Sequence, residues 1–159
     1  MSQTILNTAR TVRQITLNQI QAIPEELFDV QPQAFNNTIR WNVGHIIVSV
    51  EFFLSLGFPF SSDLPESYKG FFNTGTKPAD WTAAPPAKAE LVQYLSKQLD
   101  QFSAVSPEML DQPLKSPIQM GALRFETVGE VFNFAFVHEA MHLSTISSLM
   151  KVIQSQPSS

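Results

Sequence analysis

The chain has 159 residues and a formal net charge of −4, and its 10 lysines and arginines form no cluster. An acidic chain without a basic patch argues against nucleic acid as the main partner. The absence of cysteine excludes disulfides, thiolate metal ligands and a cysteine nucleophile. The length suits a single domain with a sizeable core, so we treat residues 1–159 as one domain.

The N-terminal segment lacks the basic region and apolar run of a signal peptide. The longest apolar stretch, VGHIIVSVEFFLSLGFPF, is interrupted by His45, Glu51 and Pro59. We do not expect such an interrupted stretch to span a bilayer. We therefore expect a cytoplasmic protein without a membrane partner.

Four segments have the apolar spacing of amphipathic helices, and none has the sustained alternation of a half-buried strand. Thr38 is a predicted N-cap of the second helix, and Thr127 and Glu130 form a predicted capping box at the start of the fourth. Four such helices joined by long connections predict an all-α fold, with an antiparallel four-helix bundle as its simplest architecture. The predicted helices cover about residues 3–22, 38–56, 86–104 and 127–154.

All three histidines of the chain lie within these predicted helices. His138 and His142 are four residues apart, so they share one face of the last helix. His45 lies mid-helix in the apolar segment TIRWNVGHIIVSVEFF. Facing helices of a bundle assemble metal sites from such side chains. We therefore predict one metal site formed by His45, His138 and His142; the alternative is three unrelated core histidines held by hydrogen bonds.

Three neutral imidazoles leave coordination positions open for water or substrate, as is typical of a catalytic metal site. Nitrogen ligands favour transition metals over magnesium and calcium. We expect zinc or nickel, with iron or manganese as alternatives. Asn42 precedes His45 by three residues, and we expect it either to orient a ligand ring or bind a cofactor, or to bond the backbone. The spacing assigns no catalytic residue.

Residues 138–142, HEAMH, also match the H-E-x-x-H pattern of zinc metallopeptidases, in which Glu139 would be the general base. The rest of the chain argues against this function. Only 17 residues follow His142, with no His, Asp or Glu among them to supply a third ligand. No sheet that would hold an extended peptide is predicted. A metallopeptidase remains a remote alternative, and we expect Glu139 on the exposed surface of its helix.

Several segments, in their order and spacing, resemble the DinB-like/YfiT superfamily of metal-binding four-helix bundles. They are RWNVGHI, FNTGTKP, SPEMLDQP and TVGEVFNFAFVHEAMHLSTI, and the resemblance covers nearly the whole chain. It implies that His45 is the ligand of helix two, and that His138 and His142 are the H-x-x-x-H pair of the last helix. It further implies thiol transfer with a low-molecular-weight thiol or metal-dependent hydrolysis, and a homodimer.

Two functions therefore stay open. The first is a metal-dependent enzyme that acts on a small molecule by thiol S-transfer or hydrolysis. The second is a non-catalytic metal- or ligand-binding protein, such as a sensor or stress protein, because the sequence places no unambiguous general base beside the ligands.

Overall fold

A computed structural model describes residues 1–59 and 62–155 of the chain. Its fold is mostly helical, and the four long helices begin and end within two residues of the predicted positions. In chain order the elements are α1 (Ser2–Ala22), α2 (Ile39–Gly57), α3 (Ser67–Phe72), α4 (Lys88–Ser103), α5 (Pro107–Leu110), β1 (Pro113–Met120), β2 (Leu123–Thr127) and α6 (Val128–Ser155), with 3₁₀ turns at Glu25–Leu27 and Pro78–Asp80.

The long helices pack around a shared apolar core. Helix α1 contacts α4 and α6, helix α2 contacts the same two helices, and α3 packs on α2. Aromatic rings fill much of the interior: the Phe136 ring lies 4.8 Å from that of Phe102 and 4.9 Å from that of Phe132, centroid to centroid. The Phe102–Phe136 pair is edge-on, and such aromatic contacts add to the stabilisation from the buried area alone.

The predicted helix starts are confirmed by side-chain caps. Thr38 Oγ1 accepts a hydrogen bond from the Trp41 backbone N–H at 3.2 Å at the start of α2. Glu130 Oε2 accepts from the Thr127 N–H at 2.9 Å, while the Glu130 N–H donates to Thr127 Oγ1 at 3.3 Å. Both reciprocal bonds of a capping box are thus present where α6 begins.

The expectation of a strand-free fold is wrong for residues 113–127, which form an antiparallel β-hairpin. A two-residue turn connects its strands, and Gly121 adopts a φ of 60° there, which a glycine tolerates without strain. Two prolines in β1 and an irregular register between Pro113 and Ile118 remove the alternation that identifies a strand. The hairpin leads directly into α6 and brings Met120 close to the histidines.

Helix α2 is apolar on nearly all sides. By length and composition alone Ile39–Gly57 qualifies as a candidate membrane span, but 72% of the qualifying window is buried inside the fold. A helix that is hydrophobic all round is typical of a buried core position. Its burial places His45 and Asn42 in the interior.

A buried ion pair connects α1 to α6. Arg13 Nε and Nη2 donate to the two carboxylate oxygens of Glu139 at 2.9 Å each, and both side chains are fully buried. The expectation of an exposed Glu139 is therefore wrong. Glu139 is buried because it pairs with Arg13, which lies 126 residues away in the sequence. A carboxylate can be buried when a paired charge and hydrogen bonds replace its water.

Candidate metal centre

The structure brings His45, His138 and His142 together. Their ring centroids lie 5.2 Å (His45 to His138), 4.6 Å (His45 to His142) and 4.6 Å (His138 to His142) apart. One ring nitrogen from each residue lies within 4.8 Å of the other two. Two histidines from α6 and one from α2 thus form a group that can hold a metal ion.

His45 is held from two sides. Its Nδ1 donates to the backbone carbonyl oxygen of Phe72, at the end of α3, at 2.6 Å. The Trp41 ring stacks on it with a centroid separation of 4.6 Å and an interplanar angle of 10°. The tautomer that donates from Nδ1 leaves Nε2 as an acceptor, and Ser49 Oγ lies 3.3 Å from that nitrogen. The ring is therefore fixed with Nε2 available to a metal.

Asn42 orients the second ring, and this ring belongs to His142 on the facing helix. Its Oδ1 accepts a hydrogen bond from His142 Nδ1 at 2.8 Å. Its Nδ2 donates to the Thr38 carbonyl oxygen at 2.8 Å and to Asn37 Oδ1 at 3.0 Å, which sets the orientation of the amide. Two of the interactions expected for Asn42, the bond to a histidine ring and the bond to the backbone, occur together. His142 consequently presents Nε2.

His138 has no such support. It makes no hydrogen bond within the described part of the chain, and its Nδ1 is buried. The Phe53 ring lies edge-on to it at 5.8 Å. A buried ring nitrogen without a partner is unfavourable, because the hydrogen bond to water is lost without replacement. A third imidazole of this kind fits a metal ligand better than a hydrogen-bonded core histidine.

Burial lowers the pKa of all three imidazoles. Loss of hydration is the largest cause in each case; it lowers the pKa of His138 to about 4 and that of His142 to about 3, with repulsion from His45 as the second cause. The hydrogen bond to Phe72 opposes the shift at His45, whose pKa is also lowered. The rings are therefore neutral near pH 7, the form that binds a metal ion.

A cavity of about 370 Å³ lies beside the cluster. Its walls are mainly apolar and aromatic, which suits part of a small organic ligand. The hairpin contributes Met120 and the connection after α3 contributes Asn73 and Thr74. The described lining residues are His45, Val48, Ser49, Phe52, Phe53, Asn73, Thr74, Met120, Phe134 and His138.

Glu139 is not among the described residues that line this cavity. Its two oxygens bind Arg13, and one of them also accepts from Thr16 Oγ1 at 2.7 Å. A general base must reach the proton that it removes, and this carboxylate is committed to other partners. The β-hairpin, which was not predicted from the sequence, does not change the partners of Glu139. The geometry at Glu139 argues against the metallopeptidase.

The chain matches a known protein family over most of its length. A profile of the DinB superfamily matches residues 8–146, a range that contains all three histidines and the hairpin. The chain belongs to the DinB superfamily. The family resemblance of its sequence motifs is thereby confirmed. A comparison with curated proteins gives no match.

The donor set of this DinB superfamily protein fits a transition metal. Two rings use Nδ1 for a hydrogen bond and keep Nε2 as an acceptor, which in His45 lies 3.3 Å from Ser49 Oγ. The third ring has a buried nitrogen without a partner among the described residues. Imidazole nitrogen suits zinc, nickel, iron and copper better than magnesium or calcium. The sequence pointed to these three histidines and to Asn42, but not to the two groups that hold His45, Trp41 and the Phe72 carbonyl. The spacing of Trp41, four residues before His45, was the one available signal.

Proposed function

We propose that this DinB superfamily protein is a metal-dependent enzyme that transfers a thiol to or from a small molecule. The observation that supports it is the cluster of three neutral histidines beside a cavity of about 370 Å³. The metal would be held by His45, His138 and His142. We expect zinc or nickel, with iron or manganese as alternatives. Bound there, the metal would supply a positive centre that stabilises a thiolate or lowers the pKa of water.

The side chains around the cluster have separate tasks. Phe52, Phe53 and Phe134 give the cavity apolar walls that exclude water and bind an apolar part of the substrate. Ser49 offers a hydroxyl beside His45 Nε2, at 3.3 Å, where it can hydrogen-bond a substrate group held at the histidines. The Trp41 ring stacks on His45 and is not among the described residues that line the cavity.

The composition of the cavity favours thiol transfer over hydrolysis. Among the described residues that line it there is no Asp, Glu, Lys or Arg. Hydrolysis by an activated water works best with a positioned group that accepts its proton. A thiol, with an ordinary pKa of about 8.5, gives up its proton far more readily than water and needs no such group.

The same lack of a lining acid or base supports a second candidate, a non-catalytic protein that binds a metal or a small ligand. In that case the cavity would bind a ligand without changing it. Turnover separates the two candidates, because ligand binding alone would leave the ligand chemically unchanged.

We also propose that the four long helices form an antiparallel four-helix bundle of the DinB type. Its support is the packing of α1 and of α2 against both α4 and α6. The histidines of α2 and α6 would then face each other across the bundle interior.

The test begins with protein purified without an affinity tag and loaded with zinc, nickel, iron or manganese. We expect one metal ion per chain in the wild type and loss of metal in His45→Ala, His138→Ala and His142→Ala. Thiols and electrophilic substrates are then assayed with the loaded protein. Metal-dependent turnover that all three substitutions abolish supports the enzyme. If the wild type holds no metal after the loading treatment, the proposal is rejected. Metal binding without turnover favours the second candidate.

A further inference from the structure

A second cavity, of about 450 Å³, continues the histidine cavity along α2. The two share Val48, Phe52 and Asn73 as lining residues. Glu51 lines the second cavity and follows His45 by six residues, so it lies about 9 Å further along the helix axis. A molecule that extends along α2 can therefore reach both the histidines and Glu51.

The Glu51 carboxylate is fixed by a buried network. Its Oε2 accepts from Gln98 Nε2 at 3.2 Å, and Gln98 is 3% exposed. The amide of Gln98 is itself fixed, because its Oε1 accepts from Arg13 Nη1 at 2.9 Å and its Nε2 also donates to the Ile47 carbonyl oxygen at 3.0 Å. Within residues 1–59 and 62–155, Glu51 Oε1 has no hydrogen-bond donor. One acceptor oxygen of a positioned carboxylate is thus left for a ligand.

The charges around the second cavity favour a cation. Besides Glu51, the charged lining residues among those described are Glu66 and Lys69. Lys69 Nζ lies 3.2 Å from Glu66 Oε1, so these two charges compensate each other. The negative charge of Glu51 has no counter-ion within 4 Å among the residues that the structure describes. A half-buried carboxylate attracts a cationic hydrogen-bond donor more strongly than a neutral one.

We propose that the second cavity binds the ammonium group of an aminothiol through Glu51, while the sulfur end of the same molecule lies at the histidines. This inference rests on the proposed function and adds the substrate class to it. The apolar side chains of Val48 and Phe52, shared by both cavities, contact the spacer between the two ends. The helix rise between His45 and Glu51, about 9 Å, sets the length scale of this spacer. A carboxylate at the distal end is disfavoured by repulsion from Glu51.

The test uses cobalt-loaded protein and three thiols of equal length: aminohexanethiol, mercaptohexanol and mercaptohexanoate. Binding is followed through the near-ultraviolet absorption of cobalt–thiolate coordination, so no turnover is needed. We expect the wild type to bind aminohexanethiol about tenfold more tightly than mercaptohexanol, and mercaptohexanoate more weakly than either. Glu51→Gln keeps an oxygen acceptor for Gln98 and removes the charge, and we expect this variant to lose the preference for the amine.

Glu66→Gln is the matched control. It removes the same charge from the rim of the same cavity, where Lys69 compensates it, so the amine preference should stay. Equal melting temperatures of the variants and the wild type exclude a folding defect. Equal affinity for the three thiols, or an amine preference that survives in Glu51→Gln, overturns the inference and leaves the proposed function intact. Cobalt-loaded protein that binds none of the thiols overturns both.

Discussion

The Arg13 guanidinium and the Glu139 carboxylate form a two-point ion pair inside the fold, where neither side chain has exposed surface. Thr16 Oγ1 donates to the same carboxylate, and Arg13 Nη1 also donates to the Leu95 carbonyl oxygen at 2.9 Å. Glu139 follows His138 directly on α6. The pair therefore fixes α6 against α1 and α4 at the point where α6 presents a site histidine.

We predict that Glu139→Ala destabilises the fold by about 3–5 kcal/mol, because the Arg13 charge would stay buried without its partner. Chemical denaturation measures this loss. The double variant Arg13→Met, Glu139→Leu removes both charges and should recover most of it. Glu66→Ala, which breaks an exposed pair with Lys69, is the control and should leave stability unchanged within error. A Glu139→Ala protein as stable as the wild type would contradict this prediction.

The sequence predicted the helices and histidines because both depend on local spacing. His138 and His142 share a face whatever the tertiary structure, and the capping box at Thr127 uses neighbouring residues. Arg13 and Glu139 could not be predicted, since a single charge on an amphipathic helix is usually exposed and the partner is 126 residues away. The hairpin was missed because the prolines of β1 hide its alternation.

Asn42 gives a prediction about metal affinity. It accepts the Nδ1 proton of His142 and is fully buried. Without it, the ring can rotate or change tautomer, so we expect Asn42→Ala to weaken zinc binding about 10- to 100-fold. Competition with a chromophoric chelator measures the affinity. Asn36→Ala, an exposed neighbour, should bind zinc as the wild type does. Unchanged affinity in Asn42→Ala would show that the hydrogen bond does not control the ligand ring.

The lowered histidine pKa values predict an acid-sensitive metal-free protein. A histidine with a pKa of about 4 when folded and 6.5 when unfolded binds more protons in the unfolded state between these values. The free energy of unfolding should therefore fall as pH decreases from 6.5 to about 4. Urea denaturation of chelator-treated protein across this range measures the loss.

His138→Leu is the control for this pH dependence. His138 makes no hydrogen bond within the described part of the chain, so leucine leaves no donor or acceptor unpaired. The variant should lose less stability on acidification than the wild type, because one of the three lowered pKa values is gone. Identical pH dependence of the two proteins would mean that His138 does not contribute to the acid sensitivity.

Gly44 permits the close approach of α2 and α3 that positions His45. A Cβ at this position would lie 2.3 Å from Phe72 Cδ1 and 2.4 Å from its Cγ, and Phe72 is fully buried. We expect Gly44→Ala to displace Phe72 and to destabilise the fold by about 1–3 kcal/mol. The Phe72 carbonyl oxygen accepts the His45 Nδ1 proton at 2.6 Å, so metal affinity should decrease as well. Thermal denaturation and chelator competition measure the two effects.

Gly70, in α3, is the matched control for Gly44. Nothing lies within 4 Å of a Cβ built there, so Gly70→Ala should stabilise the helix by about 0.5–1 kcal/mol and leave metal affinity unchanged. The double variant Gly44→Ala, Phe72→Leu separates the two effects of the clash, because leucine relieves the contact while the backbone carbonyl stays. If the double variant regains metal affinity, the Phe72 carbonyl positions His45; if affinity stays low although stability recovers, that role is refuted.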